Sequence, residues 1–318
     1  MRPATISTVT GEIPADRLGP TLAHEHIYCD ISVHSGKADN VVTDVSLAIE
    51  EMGHFRRAGG GAIVELTPVG IGRDPAKLRE ISLASGVPIV SGIAFYQEIT
   101  HPEWLRTASV DRITDYFVQH LEEGELGVRA GIIGEITSHN EPVINPAYRL
   151  DELEVRIFTA AARAQRRTGY AISTHASLGR AGPAQLDVFE SAGADLTRVV
   201  IGHCDTHWHE DIALDLSYYL SILNRGAYCE FDMIGWPDLM KDEIRAERIA
   251  ALVRLGHAAK ITLATDTCRL SQMRRNGGRG YDYLWYSFLP LLRKAGVTEA
   301  QIHSMLVEAP RAILSHAS

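Results

Sequence analysis

Short apolar runs rich in β-branched residues alternate along this chain with longer amphipathic stretches. This alternation is typical of βα units that build a parallel sheet. Residues 150–168, rich in Ala, Arg and Glu, are one of the predicted helices. No low-complexity linker divides the chain, so we expect one domain over residues 1–318 with the fold of a (β/α)8 TIM barrel. Its eight predicted strands are centred on Ala23, Val64, Val90, Ile133, Ser173, Val200, Cys229 and Leu263.

Two further patterns flank the predicted barrel. Residues 4–10 and 11–13 predict a short N-terminal strand pair before the first barrel strand. Residues 276–280 form a glycine-rich segment that is followed by closing helices. Because this segment lacks a Gly-x-x-x-x-Gly-Lys pattern, we interpret it as a flexible loop and not as a phosphate-binding loop.

The composition narrows the classes of function. The chain has 318 residues, of which 45% are hydrophobic and 22% charged, as in a globular protein with a sizeable core. A formal charge of -9 argues against a nucleic-acid partner. No signal peptide or long apolar run is visible, so we expect a cytoplasmic protein without membrane contact. The cysteines lack C-x-x-C spacing and are expected to be buried thiols: Cys29, Cys204, Cys229 and Cys268.

A His-x-His pair in the first predicted strand is the strongest chemical signal. His24 and His26 alternate with Glu25, so both imidazoles point to one face of the strand, as half of a transition-metal site would require. In a chain with 14 histidines one such pair is weak evidence. The interpretation gains weight because single acids or histidines end several later apolar runs: Glu135, His175, His203 and Asp266.

The spacing of these residues fits the βα repeat. Glu135 and His175 are 40 residues apart, and His175 and His203 are 28 apart, each about one unit. The candidates therefore fall at the carboxyl ends of strands one, four, five, six and eight, where barrel enzymes carry their chemistry. We predict two metal ions and a shared hydroxide: His24, His26 and Asp266 on one metal, His175 and His203 on the other, and Glu135 as the bridge.

Each residue taken singly also has a plainer explanation. His175 or His203 alone is more often a hydrogen-bonded core residue than a metal ligand. Glu135 is harder to explain in this way, because burying an unpaired carboxylate costs several kcal/mol and no lysine lies nearby in sequence. The ordered recurrence at five strand ends favours the metal site.

The chain resembles the phosphotriesterase family of the amidohydrolase superfamily, and especially its phosphotriesterase homology protein branch. The matching segments are residues 8–11, 21–26, 130–136, 172–175, 202–205, 265–266 and 280–283. The resemblance implies two divalent metal ions, usually zinc with manganese or cobalt as alternatives, that activate a bridging hydroxide for hydrolysis in a (β/α)8 barrel. Members are often dimers, so the resemblance allows a homodimer, but no stretch of the sequence points to an interface.

Two positions depart from better-known members of that family. Phosphotriesterases and lactonases proper use a carboxylated lysine as the bridge, whereas this chain has Glu135 there. After Asp232, related quorum lactonases carry Arg and phosphotriesterases carry His, whereas this chain has Met233. We therefore expect little turnover of acyl-homoserine lactones or of phosphotriesters.

Further residues have candidate roles in catalysis and recognition. Asp266 is expected to accept the hydroxide proton and pass it to the leaving group, or else to serve only as a ligand. Asp205 and Asp232 either hold histidine tautomers or are solvated loop residues. Tyr96 either lines the pocket or packs as a loop aromatic, and Trp236, Trp285 and Tyr281 are weaker candidates of the same kind. A basic cluster in the eighth loop suits an anionic substrate group, although surface arginines are common: Arg269, Arg274, Arg275 and Arg279. Of these, we take Arg269 and Arg275 as candidate substrate contacts.

These observations lead to several functional hypotheses. The first is hydrolysis of a small lactone or carboxylic ester with an anionic group. The alternatives are an amidohydrolase of N-acyl amino or sulfonic acids, a weak phosphotriesterase, and a ligand-binding relative without turnover. The complete set of six ligands argues against the last, because a binding protein has no need of a pair of metals that activates water.

Overall fold

The strands of the described residues form one large sheet and two small antiparallel pairs. The computed structural model describes residues 4–138, 148–176, 180–206 and 215–316. Within these residues the strands, in chain order, are β1 (Thr5–Thr8), β2 (Gly11–Pro14), β3 (Thr21–Glu25), β4 (Cys29–Asp30), β5 (Val41–Val42), β6 (Ala62–Glu65), β7 (Ile89–Ile93), β8 (Ile132–Ser138), β9 (Ile172–Ala176), β10 (Val199–Ile201), β11 (Tyr228–Phe231) and β12 (Ile261–Leu263).

The large sheet is the predicted barrel. Its order is β3-β6-β7-β8-β9-β10-β11-β12, every hydrogen-bonded pair is parallel, and β12 packs beside β3 so that the sheet nearly closes. All eight predicted strands are confirmed. The predicted N-terminal pair is confirmed as β1 and β2, which are antiparallel with Ile6 opposite Ile13.

Helices follow the barrel strands on the outside. Their bounds are α1 (Val45–Arg57), α2 (Pro75–Ser85), α3 (Glu103–Thr107), α4 (Val110–Glu122), α5 (Glu152–Thr168), α6 (Gly182–Ser191), α7 (Ser217–Leu223), α8 (Asp242–Arg254), α9 (Leu289–Lys294), α10 (Glu299–His303) and α11 (Ala309–Leu314). Helix α5 corresponds to the prediction for residues 150–168. It begins with a capping box, in which Asp151 accepts from the Glu154 amide and the Glu154 carboxylate accepts from the Asp151 amide.

The two ends of the barrel interior differ in polarity. At the amino ends of the strands, Val64, Val90 and Val200 pack with Ile6 of β1 and Ile313 of α11 into an apolar cluster. This cluster closes the lower end of the barrel. At the carboxyl ends the interior is lined by buried histidines and carboxylates, so that polar chemistry is confined to the upper end.

Two irregularities of the sheet coincide with candidate ligands. The register between β3 and β6 shifts between Leu22 and Glu25, around His24. The register between β8 and β9 shifts between Ile133 and Ile136, around Glu135. Such shifts interrupt strand pairing and re-aim side chains, and they are frequent beside active sites.

The remaining sequence expectations on the fold can be compared directly. The four cysteines are buried and form no disulfide, as predicted. Among the described residues, none of the helices has the length and apolarity that crossing a bilayer requires.

Candidate metal centre

The six predicted ligands meet at the upper end of the barrel. His24, Glu135 and His175 lie within β3, β8 and β9, whereas the other three lie one to three residues past the ends of β3, β10 and β12: His26, His203 and Asp266. All six are buried, and Asp266, at 8% exposure, is the most accessible. They belong to five different strands, so only the closed barrel can bring them together.

Two of the ligands have an unusual backbone. His203 has φ of 54° and Asp266 has φ of 43°, in the left-handed region that non-glycine residues seldom adopt. Asp232 accepts hydrogen bonds from the His203 amide and from His203 Nδ1, both at 2.8 Å, and so holds this conformation. Strained backbone of this kind concentrates at functional sites.

One group of ligands gathers around the end of β3. His24 Nε2 lies 3.1 Å from Glu135 Oε2, and His26 Nε2 lies 3.5 Å from Glu135 Oε1. His26 Nε2 is also 3.2 Å from Asp266 Oδ1. Five potential ligand atoms, from four residues, thus face one small volume.

The second group shares Glu135 with the first. His175 Nδ1 is 3.0 Å from Glu135 Oε2, and His203 Nε2 is 2.8 Å from His175 Nδ1. Glu135 therefore stands between the two groups, with both of its oxygens in use. Burial opposes ionisation of Glu135, but the imidazoles of His175 and His24 hold the pKa of its carboxyl well below the usual range.

The donor set fits a pair of divalent cations. Nε2 of His24 is buried and makes no hydrogen bond within the described part of the chain, although it faces Glu135. Among the described residues, no Lys or Arg lies within 4.0 Å of Glu135, Asp232 or Asp266. Buried carboxylates without such partners need another cation. Three triads have ligand atoms within 4.8 Å of one another: His24–His26–Glu135, His24–His203–Asp232 and Glu135–His175–His203.

The two aspartates considered as histidine supports have different surroundings. Asp232 contacts His203 as described above, and its Oδ2 lies 3.2 Å from His24 Nδ1. Asp205 instead accepts a 2.6 Å hydrogen bond from Arg245 Nε and one from the Met233 amide at 3.3 Å. Among the described residues it therefore supports the loop after β11 and no histidine.

Two supporting groups were not identified from the sequence. Glu230 Oε2 accepts from His24 Nδ1 at 3.0 Å, and His26 Nδ1 lies 3.0 Å from Thr67 Oγ1, which donates to Glu65. A signal for Glu230 was present, because Glu230 and Asp232 are two residues apart and so share one face of a strand. The contact of His26 with Thr67 has no such signal, because it depends on the path of the chain after β6.

A cavity of about 330 Å³ opens above the ligands. Its wall includes Tyr96, Met233, Trp236, Asp238, Leu239 and Arg269. The Tyr96 ring meets the His175 ring edge-on, with 5.0 Å between centroids. The Trp236 indole N–H donates to the Thr265 carbonyl at 2.8 Å, which ties the loop after β11 to the residue preceding Asp266.

The arginines of the eighth loop separate into different environments. Arg269 lines the cavity, with its guanidinium carbon 4.6 Å from the centroid of the Trp236 ring. Arg275 lies outside the cavity wall and pairs with Glu50 of α1, where its Nε donates to Oε2 at 2.8 Å.

The other candidates of this region have structural contacts. Arg274 donates to Asp282 at 2.7 Å, and Arg279 donates to the carbonyls of Thr265 and Gly235. Tyr281 donates to the His26 carbonyl at 2.8 Å, below the cavity. Trp285 packs against Phe55 of α1, with 5.2 Å between ring centroids.

Comparison with known proteins agrees with this geometry. The sequence model of the phosphotriesterase family matches residues 4–314. The chain is 35% identical to the phosphotriesterase homology protein of Escherichia coli, over 93% of this chain and 97% of that protein. It is 29% identical to the N-acetyltaurine hydrolase of Homo sapiens, over 96% of each chain. The structure of a resiniferatoxin-binding protein from Rhodobacter sphaeroides matches with a TM-score of 0.87 and 31% identity, over 98% of this chain and 94% of that one. The chain belongs to the phosphotriesterase family.

Proposed function

We propose that this protein hydrolyses a small lactone or carboxylic ester that carries an anionic group, with two divalent metal ions held by the six ligands. The observation that carries the proposal is the position of Arg269 on the wall of the cavity that opens above the ligand set. Zinc is the expected metal, and manganese or cobalt would suit the same donors.

The reaction follows from the donor set and its surroundings. His24, His26, Glu135 and Asp266 would hold one ion, and Glu135, His175 and His203 the other. Such a pair, when bound, lowers the pKa of coordinated water and polarises the oxygen of a substrate carbonyl.

Asp266 is the residue placed to move the proton. Its Oδ1 faces His26 Nε2, and its side chain reaches the wall of the cavity. A carboxylate in this position can accept a proton from the attacking water and return it to the leaving oxygen. Asp232 keeps His203 in one tautomer during this exchange, because it accepts from Nδ1 and leaves Nε2 free for the metal.

Arg269 supplies the recognition element. No carboxylate lies within 4.0 Å of its guanidinium among the described residues, and the face of Trp236 holds it beside the cavity. A planar guanidinium binds carboxylate, phosphate or sulfonate with paired hydrogen bonds. Met233 leaves the nearby wall apolar, and a volume of about 330 Å³ admits a small substrate.

A second candidate is hydrolysis of the amide bond in an N-acyl amino or sulfonic acid. The N-acetyltaurine hydrolase of Homo sapiens, which is similar over 96% of each chain, favours it. The same Arg269 would bind the carboxylate or sulfonate of such a substrate. Only the bond that is cleaved distinguishes the two candidates.

A substrate panel tests the proposal. Metal-loaded protein is assayed with lactones and esters, with and without an anionic group, and with N-acyl amino acids, N-acyltaurine and a phosphotriester. Proton release and free amine are followed together. Lactone or ester turnover well above amide turnover supports the first candidate, and amide turnover alone replaces it by the second. No turnover at all with two metals bound would contradict both.

Two variants test the residues of the mechanism. Arg269→Met is expected to raise KM for anionic substrates about 10- to 100-fold, since hydrogen bonds to charged groups contribute about 1.5–3 kcal/mol, and to leave neutral analogues unchanged. Arg275→Met, from the same loop, is the matched control and should change neither. Asp266→Asn should lose hydrolysis while metal remains bound, and full activity in that variant would contradict the proton-transfer role.

A further inference from the structure

Glu230 is a buried carboxylate inside the barrel, directly below the metal ligands. It lies on β11 with 1% of its surface exposed. Its Oε2 accepts from His24 Nδ1 at 3.0 Å, and its Oε1 accepts from Thr262 Oγ1 at 3.0 Å. Among the described residues no Lys or Arg lies within 4.0 Å of it. Burying a carboxylate is unfavourable unless hydrogen bonds or an opposite charge compensate for its lost hydration.

His24 has contacts to two carboxylates at the same nitrogen. Asp232 Oδ2 is 3.2 Å from Nδ1, but this oxygen already accepts from the His203 amide, and Oδ1 accepts from His203 Nδ1. Of the two contacts, that with Glu230 has the geometry of a hydrogen bond. Asp232 is thus shared between His203 and His24, whereas Glu230 contacts His24 and no other imidazole among the described residues.

This contact determines what His24 can offer to a metal. If Nδ1 carries the proton and donates to Glu230, the lone pair of Nε2 is directed toward Glu135, 3.1 Å away, where the first ligand group converges. A carboxylate behind a metal-bound histidine fixes its tautomer and raises its basicity, and its loss typically weakens metal binding 10- to 100-fold.

We propose that Glu230 is a positioning residue for the metal bound by His24, His26 and Asp266, and that it supports this metal and not the other. The proposal rests on the two-metal centre of the proposed function, but it is independent of the substrate. It divides the two carboxylates of one strand between the two metals: Glu230 acts through His24, and Asp232 acts through His203.

The test measures metal affinity in proteins that retain one site each. In a His175→Ala background the remaining ligands are those of the first group, and His203 stays in place to engage Asp232. In a His26→Ala background the second group stays complete, whereas the first group keeps only His24, Asp266 and the shared Glu135. Zinc dissociation constants are measured for each by competition with a chromophoric chelator, with and without Glu230→Gln.

The expected result is a loss of zinc affinity in only one of the two backgrounds. Glu230→Gln should weaken zinc binding about 10- to 100-fold in the His175→Ala protein and leave the His26→Ala protein unchanged. Equal losses in both backgrounds would indicate general damage to the barrel and overturn the proposal, as would no loss in either. Glu51→Gln is the matched control, because Glu51 is a fully buried carboxylate on α1, outside the barrel interior, and its change should leave both affinities unaltered.

A second variant keeps the proposal testable if the Glu230→Gln protein does not fold. Thr262→Val removes the hydrogen bond to Glu230 Oε1 and keeps the carboxylate. It should weaken zinc binding several-fold in the His175→Ala background alone, and unchanged affinity there overturns the proposal. If the unmodified chain binds fewer than two metals, the two-metal centre itself is wrong. If it binds two metals without hydrolysing any substrate, the proposed substrate is wrong, and the test of Glu230 still stands.

Discussion

Replacing Arg245 with Met would remove one partner of a fully buried ion pair. The Arg245 and Asp205 side chains are both inaccessible to solvent, and Nε donates to Asp205 Oδ2 at 2.6 Å. Arg245 also donates to Asp242 at 2.9 Å and to the Trp236 carbonyl at 3.2 Å. These bonds attach the loop after β11, which forms part of the cavity wall, to the start of α8.

The expected loss follows from what remains after the substitution. Among the described residues, Asp205 would keep only the Met233 amide, at 3.3 Å, as a hydrogen-bond partner, while staying buried. Breaking a buried pair in this way costs about 3–5 kcal/mol of unfolding free energy, because one charge is left uncompensated. Adding Asp205→Asn should recover part of the loss. Arg163→Met is the matched control, because Arg163 and Asp111 form an exposed pair at 2.7 Å that should contribute less than about 1 kcal/mol.

Urea unfolding followed by circular dichroism measures these differences as midpoints at a constant m-value. The loss should also depend on pH. Burial raises the pKa of Asp205 to about 6 even beside Arg245, and removing Arg245 raises it further. A carboxyl group whose folded-state pKa exceeds its unfolded value destabilises the fold as the pH rises between the two, so the loss should be larger at pH 8 than at pH 5. If Arg245→Met costs no more than Arg163→Met, the reasoning on the buried pair is refuted.

Two further predictions concern the metals and a helix terminus. Removing metal with a chelator should abolish hydrolysis and lower the thermal unfolding temperature. The reason is that a ligand present at 1,000 times its Kd stabilises the folded state by about 4 kcal/mol. An unfolding temperature that neither chelation nor added zinc changes would contradict this prediction. Asp151→Ala removes the cap of α5 and should cost about 1 kcal/mol in urea unfolding, without changing bound zinc measured by mass spectrometry. Glu152→Ala, at an exposed neighbouring position, is the control. An equal loss of unfolding free energy in that variant would contradict the capping argument.

The sequence predicted the barrel and the proximity of the six candidate ligands because both depend on local periodicity. A parallel barrel brings the carboxyl ends of all strands to one rim, so a ligand type at the end of each apolar run predicts proximity without any knowledge of loops. His24 and Glu135, 111 residues apart, are in contact for this reason.

Contacts that depend on lateral distances or on loop paths could not be predicted in this way. Glu230 and Asp232 share one face of a strand, but which histidine each meets is determined by the separation of β3, β10 and β11 inside the barrel. Arg269 and Arg275 lie six residues apart in one loop that contains short 3-10 turns at Leu270–Gln272 and Arg274–Asn276. Because of these turns, Arg269 lines the cavity whereas Arg275 pairs with Glu50.

Glu135 has a consequence for how the centre is made. A carboxylated lysine forms only by reaction with dissolved carbon dioxide, so a protein that uses one requires that reactant before its bridge exists. In the proposed centre the bridge would be Glu135, an encoded side chain that needs no modification, and its oxygens already face the two ligand groups. We therefore expect the proposed centre to assemble with metal alone, at a rate that does not depend on the bicarbonate concentration.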